Sequence, residues 1–329
     1  MVLRFYLVAY CLTAAFCFSQ THSAAPNQAA PDTRPSAKVA ARDGSIRDIG
    51  SIGTRNLGCG RGLGNWYSLD RQEAMGKEYS AQIEATSKLV KDPEIVEYVN
   101  RIGQNLVRNS DSQVPFHIKV IESDDVNAFA LPGGFFYVDT GLILAADNEA
   151  ELAGVMAHEI AHVAACHAAR SRTRGQLMNM ASLPFMLVGG PIGYAAYEGL
   201  TIATPLTFFR FSRKFEAEAD FLGVQYMYKA GYDPQALTSF FEKVRAMEGR
   251  HESPVAKAFR THPQTPDRIL KTQNEIATLL PPEMEYKLDS SEFQDVKDHL
   301  NKMQGGLRLQ SPNRPTLKRR PSLPDLVGD

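Results

Sequence analysis

A strong net charge, an internal repeat and a rich supply of cysteine are all missing from this chain of 329 residues. The 36 Lys and Arg residues nearly balance the 37 Asp and Glu residues, and the net charge is −1. Such a balance gives no broad attraction to nucleic acid or to an anionic membrane, so no nucleic-acid partner is predicted. The absence of a repeat argues against a helical repeat array. A hydrophobic fraction of 43% is typical of a globular protein.

Cysteine occurs four times, and Cys11 and Cys17 fall within an apolar segment at the N-terminus. Without that segment only Cys59 and Cys166 remain. An oxidising compartment would permit a bridge between them, but their spacing does not test it. Cys166 lies four residues after His162 on a predicted helix, where a small buried apolar side chain fits equally well. The redox state of this pair stays open at the level of sequence.

The N-terminus has the pattern of an export signal. Arg4 precedes an uncharged apolar run at residues 5–18, and a Ser/Ala-rich stretch follows at 19–25. The apolar run is only about 14 residues long, which is short for a helix that spans a bilayer. We therefore predict a signal peptide over residues 1–24 and an exported protein of the periplasm or cell envelope.

Composition divides the rest of the chain into three parts. Residues 25–65 are rich in Ala, Pro, Ser, Gly and Arg without apolar periodicity and are predicted to be a flexible linker. Residues 66–305 form the predicted folded domain. Residues 306–329 are basic and Pro-rich and are predicted to be a disordered tail.

Apolar periodicity predicts an α+β fold that is mostly α-helical. A two-residue alternation at 116–120 and an apolar run at 134–139 predict a small β-sheet. Spacings of three and four residues predict helices at 69–90, 93–108, 148–170, 213–229, 234–247, 266–280 and 290–303.

Residues 175–197 contain no charged side chain, a length that could span a membrane. Pro184, Pro191 and four glycines interrupt the segment. A broken helical hairpin is therefore favoured over a spanning helix, either packed on the domain or making peripheral contact with a membrane.

The most informative motif is His158–Glu159–Ile160–Ala161–His162. Histidines four residues apart project from one face of a helix, so His158 and His162 can bind one zinc ion. Glu159 lies beside them, where it can polarise a water molecule without being a ligand. Two histidines and a carboxylate are costly within such an apolar helix unless they are paired or bound to metal.

A catalytic zinc ion needs a third protein ligand and an open position for water. His167, five residues after His162, is rotated away from the ligand face of a continuous helix and is predicted to be a supporting or structural residue. Downstream, Glu216 and Asp220 share one face of a predicted helix. Glu216 can be the third ligand, and Asp220 can accept the remaining N–H of a ligating histidine. Glu218 is interpreted as a solvated charge.

The order and spacing of these motifs resemble the HtpX/BepA/CAAX-prenyl-endopeptidase family of zinc metallopeptidases. The resemblance rests on residues 158–162 and 216–220, together with residues 127–143 and 261–269. It implies a gluzincin (zincin-like) fold over roughly residues 66–303 and one zinc ion per chain, with the active-site helix beside a small sheet.

The same resemblance implies that His158, His162 and Glu216 are the ligands and that Glu159 is the general base. The spanning segments and the C-terminal repeat array of some branches are not apparent in the sequence. The expected relatives are therefore the exported, soluble, single-domain members.

Two further segments receive predicted roles. Gly134, Phe135, Phe136 and Tyr137 fit a strand that aligns a peptide substrate by strand addition, and the alternative is an ordinary core strand. The resemblance to this family implies that His262 either stabilises the oxyanion or occupies the open zinc position and holds the enzyme inactive. A histidine at a helix start without a catalytic role is the alternative. Arg268 is predicted to support the site electrostatically.

These observations predict a zinc-dependent metalloendopeptidase that hydrolyses peptide bonds in misfolded or unassembled cell-envelope proteins. The first alternative is a periplasmic chaperone or assembly factor with latent protease activity. The second is a structural zinc protein, which would need a closed site with four protein ligands.

Overall fold

The computed structural model of the chain describes residues 43–188, 211–248, 262 and 265–310, all of which lie in one unit, Val39–Asp329. The predicted signal peptide, residues 25–42 of the linker and residues 311–329 of the tail lie outside the described residues.

The helices are α1 (Leu69–Thr86), α2 (Pro93–Arg108), α3 (Thr140–Ala145), α4 (Glu149–Ala164), α5 (His167–Val188), α6 (Arg213–Lys229), α7 (Gln235–Glu248), α8 (Pro266–Leu279) and α9 (Ser291–Gln310). The strands are β1 (His117–Ile121), β2 (Ala128–Ala130) and β3 (Phe135–Asp139), and short 3-10 turns occur at Ile49–Ser51 and Pro132–Gly134.

The prediction of a mostly helical α+β fold with a small sheet is confirmed. Local signals account for several helix starts. Asp92 accepts hydrogen bonds from the main-chain N–H groups of Glu94 and Ile95 at the start of α2, and Asn148 accepts one from Glu151 at the start of α4. These caps satisfy main-chain donors that have no partner within the helix.

The sheet is three-stranded, with β3 in the centre. β1 pairs with β3 in parallel, with His117 opposite Phe135, and β2 pairs with β3 antiparallel, with Ala128 opposite Val138. The main chain of β3 is therefore engaged on both sides, and it has no free edge for an added strand. The prediction that Gly134, Phe135, Phe136 and Tyr137 form the substrate-aligning edge is wrong, and the strand at the edge beside α4 is β2.

Helix α4 lies at the centre of the fold and is buried along its whole length. It packs against α6, α7, α2 and β2. A Cβ atom at Gly223 of α6 would come within 3.3 Å of the His158 main chain, so this glycine permits close contact between α6 and α4. That contact brings the acidic side chains of α6 to the histidines of α4.

The predicted continuous helix over residues 148–170 is broken. Helix α4 ends at Ala164, Cys166 adopts a φ of 52°, and α5 begins at His167. A left-handed residue cannot continue a right-handed helix, so the chain changes direction at Cys166. The break changes the positions of His167 and of every side chain after it relative to the active-site helix.

Residues 43–65 belong to the folded unit and are not the flexible linker that composition predicted. The Arg55 guanidinium is buried and forms an ion pair with Asp111, to which Tyr226 also donates a hydrogen bond. Cys59 forms a disulfide with Cys166, with 5.2 Å between the two Cα atoms. Residues 43–65 are thus fastened to the rest of the folded unit, and Cys59 and Cys166 form a bridge.

No described helix has the combination of length and apolar character that crossing a bilayer requires. Of the uncharged segment 175–197, residues 175–188 lie in α5 and residues 189–197 fall outside the described residues. The broken hairpin and its membrane contact therefore stay predictions.

Candidate metal centre

Four buried side chains that could hold a metal ion lie close together in the interior of the folded unit. Helix α4 supplies His158 and His162, α6 supplies Glu216, and His262 completes the group. All four are buried, and one ligand atom from each lies within 4.8 Å of the others. The predicted ligand histidines and the predicted acidic ligand, which are separated by more than 50 residues in sequence, are therefore brought together by the packing of α6 on α4.

The distances within this cluster fit a zinc ion. His158 Nε2 lies 3.1 Å from His162 Nε2 and 3.5 Å from Glu216 Oε2, and His162 Nε2 lies 3.7 Å from Glu216 Oε1. A tetrahedral zinc ion with bonds of about 2.0–2.1 Å keeps its ligands roughly 3.4 Å apart. The donor set and its spacing are those of a metal site.

His262 occupies the fourth corner of this arrangement. Its Nδ1 atom lies 2.9 Å from Glu216 Oε1 and 3.5 Å from His158 Nε2. Its Nε2 atom lies 3.6 Å from Glu159 Oε1. The imidazole therefore contacts both the acidic ligand and the predicted base, at the position that water or substrate would need.

Glu159 is buried beside the cluster, although it is not among the four converging ligands. Its carboxylate accepts a hydrogen bond from the main chain of Ala130 in β2. Burial raises the pKa of Glu159, and the neighbouring His262 and His158 oppose that shift. A carboxylate with a raised pKa next to a metal site is suited to receiving and returning a proton.

Asp220 and Arg268 form a support behind His158. Asp220 Oδ1 lies 3.0 Å from His158 Nδ1, the nitrogen that faces away from the cluster. Arg268 donates to both oxygens of Asp220 at 2.7 Å, and its Nη1 atom lies 3.1 Å from Glu216 Oε2. Burial would raise the pKa of Asp220, but Arg268 and His158 outweigh it and lower that pKa.

The charges of the cluster change the pKa values of its histidines and of Glu216. Burial alone would lower the pKa of His158, but Asp220 and Glu216 raise it to about 9. Burial lowers the pKa of His162 well below the usual value. Burial would raise the pKa of Glu216, whereas His262 and His158 hold it well below its usual value. The acidic ligand is thus anionic, as metal coordination requires.

Two side chains near His162 were misjudged or missed by sequence reasoning. The carboxylate of Glu218 is not a solvated charge, because its side chain is 18% exposed and pairs with Arg170 and His167. Burial would raise the pKa of Glu218, but His167 and Arg170 lower it to about 2. Phe211 stacks on the imidazole of His162, with 4.2 Å between ring centroids. Neither residue's contacts have a local signature in the sequence, since they depend on how segments that are distant in sequence pack together.

Comparison with known proteins agrees with this geometry. The model of "Peptidase family M48" matches residues 93–276, which is more than half of the chain. The beta-barrel assembly-enhancing protease of Yersinia pestis is 34% identical over 232 residues, covering 68% of this chain and 47% of that protein. The protein of the same name in Escherichia coli K12 is 32% identical over 230 residues, with the same coverage of both chains.

A mitochondrial relative is also similar. The mitochondrial metalloendopeptidase OMA1 of Schizosaccharomyces pombe is 32% identical over 200 residues, covering 59% of this chain and 56% of that protein. The chain spans about half the length of the curated relatives that it matches. The family match, the metallopeptidase names of these relatives and the buried cluster that could hold a metal ion agree with one another. The chain therefore belongs to peptidase family M48.

Proposed function

We propose that this chain is a zinc-dependent metalloendopeptidase that hydrolyses peptide bonds in misfolded or unassembled proteins of the cell envelope. The observation that carries the proposal is the convergence of His158, His162 and Glu216 at tetrahedral spacing, with the Glu159 carboxylate beside them. One zinc ion per chain fits this donor set. A catalytic centre has three protein ligands and one position for water, whereas a structural site is closed by four ligands. Because His262 fills the fourth corner here, the proposal requires that this side chain can leave it.

Different residues of the chain carry out proton transfer and the positioning of the metal ligands. When bound, zinc supplies a Lewis acid that polarises the peptide carbonyl and makes water more acidic. Glu159 takes the proton from the attacking water and returns it to the leaving amine, for which its buried position and raised pKa suit it. Asp220 and Arg268 hold His158 and Glu216 in place from behind.

His262 acts as a latch in this proposal. Its imidazole fills the fourth corner and contacts Glu159, so neither water nor substrate can enter while it stays there. Catalysis requires the His262 side chain to leave the cluster.

The substrate is proposed to bind along β2. This strand pairs with β3 on one side only among the described residues, and the main chain of Ala130 at its end contacts Glu159. The main-chain bonds to β3 alternate along the strand, with Asn127 accepting from Asp139 and Leu131 donating to Phe135. Ala128 and Ala130 therefore direct their main-chain groups outward. The Ala130 N–H is taken by Glu159, which leaves the Ala128 N–H and the carbonyl oxygens of Ala128 and Ala130 for an extended peptide.

The cellular setting follows from the N-terminal pattern and from the names of the relatives. The export signal predicted at residues 1–24 supports a protein of the periplasm or cell envelope, and the beta-barrel assembly-enhancing proteases are similar over 68% of this chain. Polypeptides are the proposed partners, with peripheral membrane contact through residues 175–197. The balanced charge gives no support for binding nucleic acid.

A second candidate is an envelope chaperone or assembly factor with latent protease activity. The position of His262 in the fourth corner specifically favours latency. Two substitutions, His262→Ala and Glu159→Gln, distinguish the two candidates. Release of the latch raises hydrolysis of an unfolded protein in an enzyme, whereas an assembly factor would keep its function in cells when Glu159 is replaced.

Hydrolysis of an unfolded protein such as casein tests the proposal. We expect wild type and Glu285→Gln, an exposed control, to cleave it, and His262→Ala to cleave it faster. Glu159→Gln should keep the zinc ion and lose at least about 100-fold in rate, because general acid–base catalysis contributes roughly that much or more. Cleavage by Glu159→Gln at the wild-type rate would contradict the proposal, as would inactivity of both wild type and His262→Ala with zinc bound.

A further inference from the structure

The break between α4 and α5 brings His167 back to the metal cluster. On a continuous helix a residue five positions after His162 would be rotated from it by about 140°. The left-handed conformation of Cys166 ends that geometry, and α5 begins at His167 in a new direction. As a result, His167 Nδ1 lies 2.9 Å from His162 Nδ1, and the two imidazoles meet edge to face.

The positions of the protons follow from which nitrogen faces the cluster. His162 Nε2 lies 3.1 Å from His158 Nε2, within the cluster, and must present a lone pair to a metal ion. A neutral His162 therefore carries its proton on Nδ1 and donates it to His167 Nδ1. His167 in turn carries its proton on Nε2, which lies 3.3 Å from the carboxylate oxygen Oε2 of Glu218. Once His162 Nε2 is kept free of a proton for the metal ion, this is the only pair of neutral tautomers that gives the short Nδ1–Nδ1 contact one donor and one acceptor.

The surroundings of His167 fix its ring. The side chain is fully buried, and Phe215 stacks on it with 4.5 Å between ring centroids and 22° between planes. Glu218 is held in turn by Arg170, whose Nη1 and Nη2 atoms donate to its two oxygens at 3.2 and 3.3 Å. Arg170 also donates to the carbonyl oxygen of Ala165, at the end of α4. A buried polar side chain with so many constraints holds a single orientation.

The two ligand histidines are thus supported in the same manner. His158 is backed by Asp220, which Arg268 holds through two hydrogen bonds. His162 is backed by His167 and then by Glu218, which Arg170 holds. Asp220 contacts His158 directly, whereas the imidazole of His167 lies between His162 and the carboxylate of Glu218. Sequence reasoning identified the support behind His158. It gave His167 a supporting or structural role without linking it to His162, and it interpreted Glu218 as a solvated charge.

We propose that His167 is a positioning residue that holds His162 in the Nδ1–H tautomer with its Nε2 lone pair directed at the metal ion, and that Glu218 anchors His167 in this role. The inference rests on the proposed metal site and adds to it a residue outside the ligand set. Groups that orient a metal-binding histidine typically change metal affinity by about 10- to 100-fold when they are removed.

Paired substitutions at one position separate positioning from packing. In His167→Asn the amide oxygen takes the place of the Nδ1 acceptor, whereas His167→Leu fills the space without any acceptor. We expect His167→Leu to raise the zinc dissociation constant by about 10- to 100-fold in competition with a chelator. His167→Asn should recover much of that loss, and the exposed control His117→Asn should leave the constant unchanged.

Unchanged zinc affinity in His167→Leu would overturn the inference, and so would equal losses in His167→Leu and His167→Asn. Nitrogen-15 NMR of the zinc-loaded wild-type protein gives a test without substitution. It should show the Nε2–H tautomer for His167 and the Nδ1–H tautomer for His162, and the opposite tautomer at His167 would contradict the inference. Failure of wild type to bind zinc would refute the proposed function instead, so the two failures are distinguishable.

Discussion

At the residue scale, the chemistry of the site depends on carboxylates that contact the histidines on the side facing away from the metal cluster. Asp220 lies 3.0 Å from His158 and raises its pKa, together with Glu216, to about 9 despite burial. Without metal, His158 is therefore a charged imidazolium at neutral pH, with a proton on both ring nitrogens. Metal binding must displace one of these two protons. The same carboxylate that orients the ligand also makes metal binding sensitive to pH.

This competition predicts a pH dependence of zinc affinity. Below pH 9 each unit of acidification should weaken apparent affinity by about tenfold for one displaced proton, because the His158 imidazolium must first lose its proton. In Asp220→Asn the pKa of His158 should fall, so the onset of this dependence should move to lower pH. Chelator competition between pH 6 and pH 10 measures both curves, and a wild-type affinity that is flat over this range would contradict the assignment.

At the scale of elements, the site forms where α4, α6 and β2 meet. Four-residue spacing predicted the shared faces of His158 with His162 and of Glu216 with Asp220, since a helix repeats every 3.6 residues. The same reasoning failed at Cys166, where one left-handed residue breaks the helix. It also misplaced β3, because an apolar strand pattern does not tell whether a strand is central or at an edge.

If the substrate pairs with β2, cleavage should depend on the main-chain N–H group of every second residue of the substrate. Alternate residues of an extended peptide direct their N–H groups towards the same neighbouring strand. N-methylation of a cleavable peptide should therefore abolish cleavage at alternate positions and be tolerated at the positions between them. The intervening positions serve as matched controls, and equal sensitivity at every position would exclude strand addition along β2.

At the scale of the whole molecule, the segment before α1 is tied to the domain at separate points. The Arg55–Asp111 ion pair lies at one of them, and the Cys59–Cys166 disulfide joins residues 107 positions apart at the break after α4. Composition alone indicated a flexible linker here, because neither a buried ion pair nor a disulfide leaves an apolar periodicity. Long-range contacts of this kind become visible only in the fold.

We predict that the disulfide contributes measurably to the free energy of unfolding. Removal of a bridge that closes a loop of this length typically costs about 2–5 kcal/mol, largely through the freedom that the unfolded chain regains. Cys59→Ser combined with Cys166→Ser should therefore lower the free energy of unfolding in urea. Wild type under reducing conditions should behave like the double variant. Equal stability of oxidised and reduced wild type would show that the bridge does not fasten the segment.

The central claim, that His158, His162 and Glu216 bind one zinc ion that is needed for proteolysis, is tested most directly by metal analysis of the purified chain. We predict one zinc ion per wild-type chain, loss of both zinc and casein cleavage after chelation, and recovery of both on adding zinc. Glu216→Ala should bind little zinc and stay inactive, whereas exposed Glu285→Gln should match wild type. Cleavage by metal-free wild type, or full zinc content in Glu216→Ala, would contradict the account.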